Sequence, residues 1–240
     1  MRRPSLAPPQ ALLFDVFGTV VDWRTSVIRE LEAFGIAHGI TRDWSAFADA
    51  WRGKYQPSME AVRSGMRDWA NLDTLHRESL DALLVDYEIT DLNAEDVFNL
   101  NRAWHRLDPW TDSVAGLTRL KTRFTISPLS NGNVALLVNM AKRAGLPWDA
   151  VLGAETARAY KPMPEAYLRT AALLGLPPEH CMMVAAHNDD LEAARALGFQ
   201  TAFVARPTEY GPHQFKDFEA TGDWEVIADS ITGVADALGC

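Results

Sequence analysis

Cysteine is scarce in this chain: Cys181 and Cys240 are the only two among 240 residues. Two thiols build neither a disulfide framework nor a four-ligand zinc site. Long apolar runs are missing as well, and none approaches the ~18 residues that a membrane-spanning helix needs. Met1-Arg2-Arg3-Pro4 offers a basic pair with no apolar stretch behind it, so no signal peptide is expected. Basic residues are in short supply, with 23 Lys+Arg against 32 Asp+Glu and a formal net charge of -9. That balance argues against the basic face of a nucleic-acid binder. What is present is ordinary for a globular protein, at 48% hydrophobic and 23% charged residues, and the length suits one large domain or two modest ones. The expectation is a soluble cytoplasmic protein with neither nucleic acid nor membrane as a partner.

Residues 1–9 hold three prolines and little else that packs, the composition of a loose tail. Ala11-Leu12-Leu13-Phe14 is then a short apolar run ended by Asp15 and followed by Gly18-Thr19, as in a buried strand of a parallel sheet. Similar runs recur at Phe124-Thr125-Ile126, Cys181-Met182-Met183-Val184 and Thr201-Ala202-Phe203-Val204, with helix-like segments at 134–144 and 164–174 between them. Strands alternating with helices predict an open α/β sheet with right-handed crossovers. Residues 25–107 differ. Trp44, Phe47, Ala48 and Trp51 fall at helical spacing, as do Leu72, Leu75, Ser79, Leu80 and Leu83, and then Val97, Leu100, Trp104 and Leu107. Such stripes, with no strand-like runs between them, predict helices packed on helices. The expected organisation is a discontinuous core of residues 10–24 and 108–240, interrupted by a helical domain over 25–107.

Ligands of an open α/β sheet bind beyond the C-terminal ends of its strands. That rule selects Asp15-Val16-Phe17-Gly18-Thr19, Ser127 to Asn133, Tyr160-Lys161-Pro162, and Ala185-Ala186-His187-Asn188-Asp189-Asp190. Each has a bland reading taken alone. Asp15 suits a helix cap, Ser130-Asn131-Gly132 suits a turn, Lys161 a surface position, and Asp189-Asp190 an acidic helix start. Four such segments in order, each at a strand end, are harder to dismiss.

In that order, Phe14-Asp15-Val16-Phe17-Gly18-Thr19, Ser130-Asn131-Gly132, Tyr160-Lys161-Pro162 and the Asp190 segment resemble the four motifs of the haloacid dehalogenase superfamily. The resemblance runs from Ala11 to about Pro212. It implies a Rossmann-like core with an open parallel sheet flanked by helices, and an inserted α-helical cap domain. Phosphatases of the superfamily carry a second aspartate where this chain has Phe17, and a phenyl ring donates no proton to a leaving group. Their fourth motif supplies a metal-side acid near Ala186, which offers magnesium no oxygen. Both departures disfavour phosphoryl transfer, and no metal or other cofactor is expected. What remains suits displacement at carbon by a carboxylate. The aromatic at position 17 and the Trp51-Arg52 pair resemble the 2-haloacid dehalogenase branch.

The resemblance implies these roles. Asp15 is the nucleophile, oriented by Thr19. Ser130 and the main-chain N–H groups of Val16 and Phe17 hold the substrate carboxylate. Asn131 and Arg52 face the leaving group, and Lys161 neutralises the carboxylates. Asp190 anchors Lys161 or helps to activate water, and Tyr167 matches a family tyrosine. The chain also departs from that branch. His187 stands in place of an asparagine and Asp189 in place of a tryptophan, and Gly53 follows Arg52. His187, Asn188 and Asp189 are therefore expected near the substrate, with His187 either a neutral core histidine or a donor to the leaving group or the water. The implied ligand is a small anionic 2-substituted carboxylic acid, and dimers occur among family members. Two other readings stay open. One is azetidine-2-carboxylate hydrolysis, in which the same attack opens a strained ring and Asp189 favours an ammonium. The other is a degenerate member that binds a partner through its tryptophan-rich cap.

Overall fold

The computed structural model describes residues 8–240. Of the expected loose tail, residues 1–7 lie outside the described residues, and Pro9 is buried. The chain forms strands β1 (Ala11–Phe14), β2 (Val21–Asp22), β3 (Asp108–Pro109), β4 (Thr125–Ser130), β5 (Leu152–Gly153), β6 (Cys181–Ala185), β7 (Gln200–Val204) and β8 (Val226–Ala228). Six of them make one parallel sheet in the order β5-β4-β1-β6-β7-β8. From β1 the chain builds first to one side, through β4, and later to the other, through β6. The C-terminal end of β1 is thus the topological switch point, where the crevice of such a sheet opens.

Alternation along β1 divides the core. Leu12 and Phe14 face one cluster, with Ile126, Met182 and Val184, while Ala11 and Leu13 face another, with Cys181 and Met183. The first face is covered by α6 (Ser113–Lys121), α7 (Val134–Ala144) and α11 (Ile231–Ala237) through Leu117, Leu136 and Val234. The second is covered by α9 (Pro164–Leu173) and α10 (Asn188–Ala196) through Tyr167 and Leu191. One short helix, α8 (Ala154–Ala157), follows β5.

The strand expected over 124–126 runs on to Ser130, which the small polar residues and Pro128 disguise in the sequence. Pro128 costs the ladder nothing. The Thr125 amide bonds Gln10 on the β1 side, while the Ile126 amide turns away and bonds the Asp149 carboxylate. By the two-residue period, the missing N–H of Pro128 also faces away from β1, toward the edge that β5 covers only at Leu129 and Ser130.

A two-residue antiparallel pairing of β2 with β3 sets Asp22 opposite Asp108. Between these strands lie helices α1 (Trp23–His38), α2 (Trp44–Gly53), α3 (Tyr55–Arg63), α4 (Leu72–Asp86) and α5 (Ala94–Asn101). All but α3 have capped starts: Asp22, Asp43, Asn71 and Asn93 each accept a first-turn amide, and Asp96 completes a capping box with Asn93. The predicted stripes are buried, from Trp44, Phe47, Ala48 and Trp51 to Leu72, Leu75, Ser79, Leu80 and Leu83. The third stripe is not one helix. α5 ends at Asn101, and Trp104 sits in a 3-10 turn (Arg102–His105), where its ring stacks on His76 and Trp23. Among the described residues no helix is long and apolar enough to cross a membrane.

Candidate active site

Asp15 directly follows β1 and faces a cavity of about 390 Å³ that is lined from the helical side by Arg52, Tyr55 and Gln56. The turn after it is made possible by Gly18, at φ +89°, where a Cβ would lie 2.2 Å from the Glu209 carboxylate. Asp15 is 7% exposed, yet each of its carboxylate oxygens has a partner. Lys161 Nζ donates to Oδ1 at 3.0 Å, and Thr19 Oγ1 donates to Oδ2 at 2.7 Å. Thr19 Oγ1 itself accepts the Ala186 amide at 2.9 Å, so its one proton is committed to Asp15. Burial alone would raise the Asp15 carboxyl, but Lys161, His187 and Thr19 outweigh it and hold the group well below the carboxylate range.

Lys161 precedes α9 and also bonds Asp190 Oδ2, while Tyr167 Oη donates to Asp190 Oδ1 at 2.6 Å. Burial would lower the Lys161 ammonium, but the charges of Asp15 and Asp190 raise it above its ordinary value. Asp190 is pushed upward by burial and by the charge on Asp15, against the pull of Lys161. Asn131 Oδ1 accepts the Lys161 amide at 2.8 Å, which ties the β4 loop to the Lys161 loop.

His187 lies between two carboxylates, with Nδ1 3.2 Å from Asp15 Oδ2 and Nε2 2.9 Å from Glu209 Oε2. Burial would lower the imidazole, but Glu209 and Asp15 lift it well above 6.5, so it is a cation rather than a neutral core histidine. Glu209 is buried, and its Oε1 accepts the Trp23 indole N–H at 3.1 Å.

Arg52 reaches the cavity from the last turn of α2. Its guanidinium carbon is 4.1 Å from the Tyr55 ring centroid, 5.3 Å from that of Trp23 and 6.0 Å from that of Phe17. Its Nη1 is buried with no hydrogen-bond partner. A cation in an aromatic cage with a spare, desolvated donor is ready for an anion.

The structure therefore brings Asp15, Phe17, Arg52, Asn131, Lys161, Tyr167, His187, Asp189 and Asp190 to one cavity. Val16, Thr19 and Ser130 stand behind its wall. Ser130 is fully buried, and its hydroxyl accepts the Gly132 amide at 3.1 Å, which leaves its own proton free. The main-chain amides of Val16 and Phe17 have no acceptor among the described residues. Asn188, expected near substrate, is instead a brace. Its Nδ2 donates to Asp217 and to the Glu219 carbonyl, and its Oδ1 accepts the Thr221 amide and the Trp224 indole. Those four bonds use the whole amide, because the first residue of α10 points back into the following loop. Asp189 lines the cavity mouth with its side chain 73% exposed, 3.4 Å from Lys216. Tyr55, Glu209, Tyr210 and Lys216 escaped the sequence reading. Only Tyr55, three residues after Arg52, carried a positional hint.

The donor set does not fit a divalent cation. The side chains of Phe17 and Ala186 present no oxygen, and the Lys161 ammonium occupies the space between Asp15 and Asp190. Among the described residues no cluster of three or more His, Cys, Asp or Glu is arranged to hold a metal.

Residues 9–198 match the haloacid dehalogenase-like hydrolases. Over 235 residues the chain is 28% identical to (S)-2-haloacid dehalogenase 4A of Burkholderia cepacia, covering 94% of this chain and 98% of that protein. Among solved structures it is similar to the defluorinating L-2-haloacid dehalogenase Rha0230, with TM-score 0.95 and 50% identity over 100% of this chain and 99% of the other. The L-2-haloacid dehalogenase PA0810 follows with TM-score 0.94 and 46% identity, covering 96% and 99%. The ordered motifs around Asp15, Ser130, Lys161 and Asp190, the switch-point sheet and these likenesses agree: the chain belongs to the haloacid dehalogenase-like hydrolase family.

Proposed function

We propose that this protein is a metal-independent (S)-2-haloacid dehalogenase, which converts a 2-haloacid and water to a 2-hydroxyacid and halide through an ester on Asp15. The observation that carries this reading is the opposition of two buried groups across one cavity. Asp15 is held ionised by Lys161, Thr19 and His187, and Arg52 faces it with an unused donor in an aromatic cage. The substrate carboxylate is held by Ser130 and the free amides of Val16 and Phe17. Asp15 attacks C2, and the departing halide is taken up by Arg52, with Asn131 alongside. Asp190 then accepts a proton from the water that hydrolyses the ester, while Tyr167 and Lys161 keep it in place. The helices between β2 and β3 serve as a cap that brings Arg52 over Asp15.

Similarity to dehalogenases supports this reading, and one of them is described as defluorinating, so fluoroacids are included in the proposed range. Ring opening of an amine finds less support. Asp189, the residue that was to favour an ammonium, is mostly exposed and already faces Lys216. The test is a side-by-side assay of chloroacetate, L-2-chloropropionate, fluoroacetate and L-azetidine-2-carboxylate. Halide release without ring opening is expected, whereas ring opening without halide release would replace the proposal.

A further inference from the structure

We propose that His187, held by Glu209, is an oxyanion donor for the second half of the reaction: its Nδ1–H stabilises the negative charge that forms on Asp15 Oδ2 when water attacks the Asp15 ester. This rests on the ester mechanism proposed above and adds a catalytic residue to it.

The hydrogen bonds of Asp15 distinguish its two oxygens. Oδ2 takes the Thr19 hydroxyl and faces the His187 ring, whereas Oδ1 takes only Lys161. The oxygen with fewer bonds keeps more free lone-pair density and is the one that attacks carbon. Oδ2 then remains as the ester carbonyl, still facing Thr19 and His187. A carboxylate oxygen, which only accepts, stands beside each ring nitrogen of His187: Nε2 is hydrogen-bonded to Glu209 and Nδ1 lies 3.2 Å from Asp15 Oδ2, so both carry protons. Glu209 is a fixed partner: it is 1% exposed, bound by the Trp23 indole and seated against Gly18, which has no side chain to displace it. Charges lining the cavity and just behind it match, with Asp15, Asp189, Asp190 and Glu209 against Lys161, Lys216, His187 and Arg52.

The electron flow gives these donors their effect. In the first step an Oδ1 lone pair forms the bond to C2 and the halide leaves with its bonding pair. In the second, the water oxygen bonds to Cγ, one water proton passes to Asp190, and the carbonyl pair moves onto Oδ2. Collapse restores the Cγ–Oδ2 double bond and breaks Cγ–Oδ1. The departing alkoxide takes the proton from Asp190, and Asp15 returns to its ionised form as the remaining water proton leaves to solvent. Between the steps Oδ2 is a neutral carbonyl, and in the tetrahedral intermediate it is an anion. The imidazolium gains most at that point, the differential that accelerates a step. In the first step the same contact steadies the carboxylate that must attack, so it gives no help there.

Rapid-quench turnover of L-2-chloropropionate, with chloride and the intact-protein mass of the ester read together, tests this. Wild-type enzyme is measured first in a single turnover in heavy-oxygen water: labelled product with an unlabelled Asp15 overturns the ester mechanism itself, independently of His187. With the ester established, His187→Asn is expected to release about one chloride per site in a burst. Its ester should then hydrolyse ~10²–10³-fold more slowly, the usual loss for one oxyanion donor. Glu209→Gln, which keeps the ring but removes the charge that fixes it, should accumulate ester in the same sense and decides the matter if the first variant does not fold. A residue that only supports the fold would slow both steps together. Equal slowing of burst and hydrolysis, or no ester accumulation in either variant, overturns the proposal.

Discussion

Lys161→Met removes the ammonium that Asp15 and Asp190 share and leaves a side chain of similar length. Lys161 is 7% exposed, with Asp15 Oδ1 at 3.0 Å and Asp190 on its other side. Without it, two buried carboxylates, one just after β1 and one in the first turn of α10, face each other, and only Thr19, His187 and Tyr167 remain to satisfy them. Removing one partner of a buried ion pair costs about 3–5 kcal/mol. For a chain of this length that lowers Tm by roughly 6–20 °C, at 2–4 °C per kcal/mol. The loss depends on pH with a definite sign. Asp190 is already raised by burial and by Asp15, and the loss of Lys161 raises it further. A carboxyl whose folded pKa lies above its unfolded value binds more protons when folded, so its burden grows as pH rises and eases as pH falls. Thermal unfolding of wild type and variant from pH 5 to pH 8 should show the largest gap at the alkaline end and partial recovery toward pH 5. Chloride release should fall ~10²-fold or more, because Asp15 has lost its main cation. An unchanged Tm at pH 8, or a gap that stays constant across the range, would refute the shared-counterion account.

Arg52→Ala takes away the caged guanidinium whose Nη1 has no partner in the protein. Halide release should drop ~10²–10³-fold at saturating substrate, as expected for loss of a leaving-group donor, and a loss confined to KM would contradict that role. Asn188→Ala leaves the Thr221 amide and the Trp224 indole without their acceptor, so stability measured by urea unfolding should fall by about 1–3 kcal/mol. Its kcat should stay within a few-fold of wild type, and a large kcat loss without destabilisation would return Asn188 to the substrate.

The legible part of this protein was the part whose information is contiguous. Asp15 and Ser130 sit at strand ends, and a strand end announces itself by an apolar run that stops at a polar residue or glycine. Lys161 and Asp190 stand at helix starts instead, just before α9 and in the first turn of α10. The buried faces of α2 and α4 were legible for the same reason, since a helical period needs only neighbouring residues. β4 reads too short in the sequence because proline and serine look like a loop, and only the lack of a β5 partner opposite Pro128 makes that residue harmless. Glu209 was hidden for another reason. Its partners, Trp23 and His187, lie 186 and 22 residues away in sequence, and no local pattern around Glu209 marks it. His187 was visible as a departure from the family pattern, but its charge became clear only once Glu209 was seen behind it. Asn188 shows the opposite failure. It sits beside His187 in the chain, and the start of α10 turns it away from the cavity into the loop that follows β7.

The central claim is that Asp15 attacks carbon and that water then attacks Asp15. Single turnover of L-2-chloropropionate in heavy-oxygen water tests it most directly, with enzyme in excess and the Asp15 peptide analysed beside the product. The account predicts unlabelled 2-hydroxypropionate and label on Asp15, because the product oxygen comes from the aspartate. Labelled product with an unlabelled Asp15 would mean that water attacks the substrate directly, and would contradict the account.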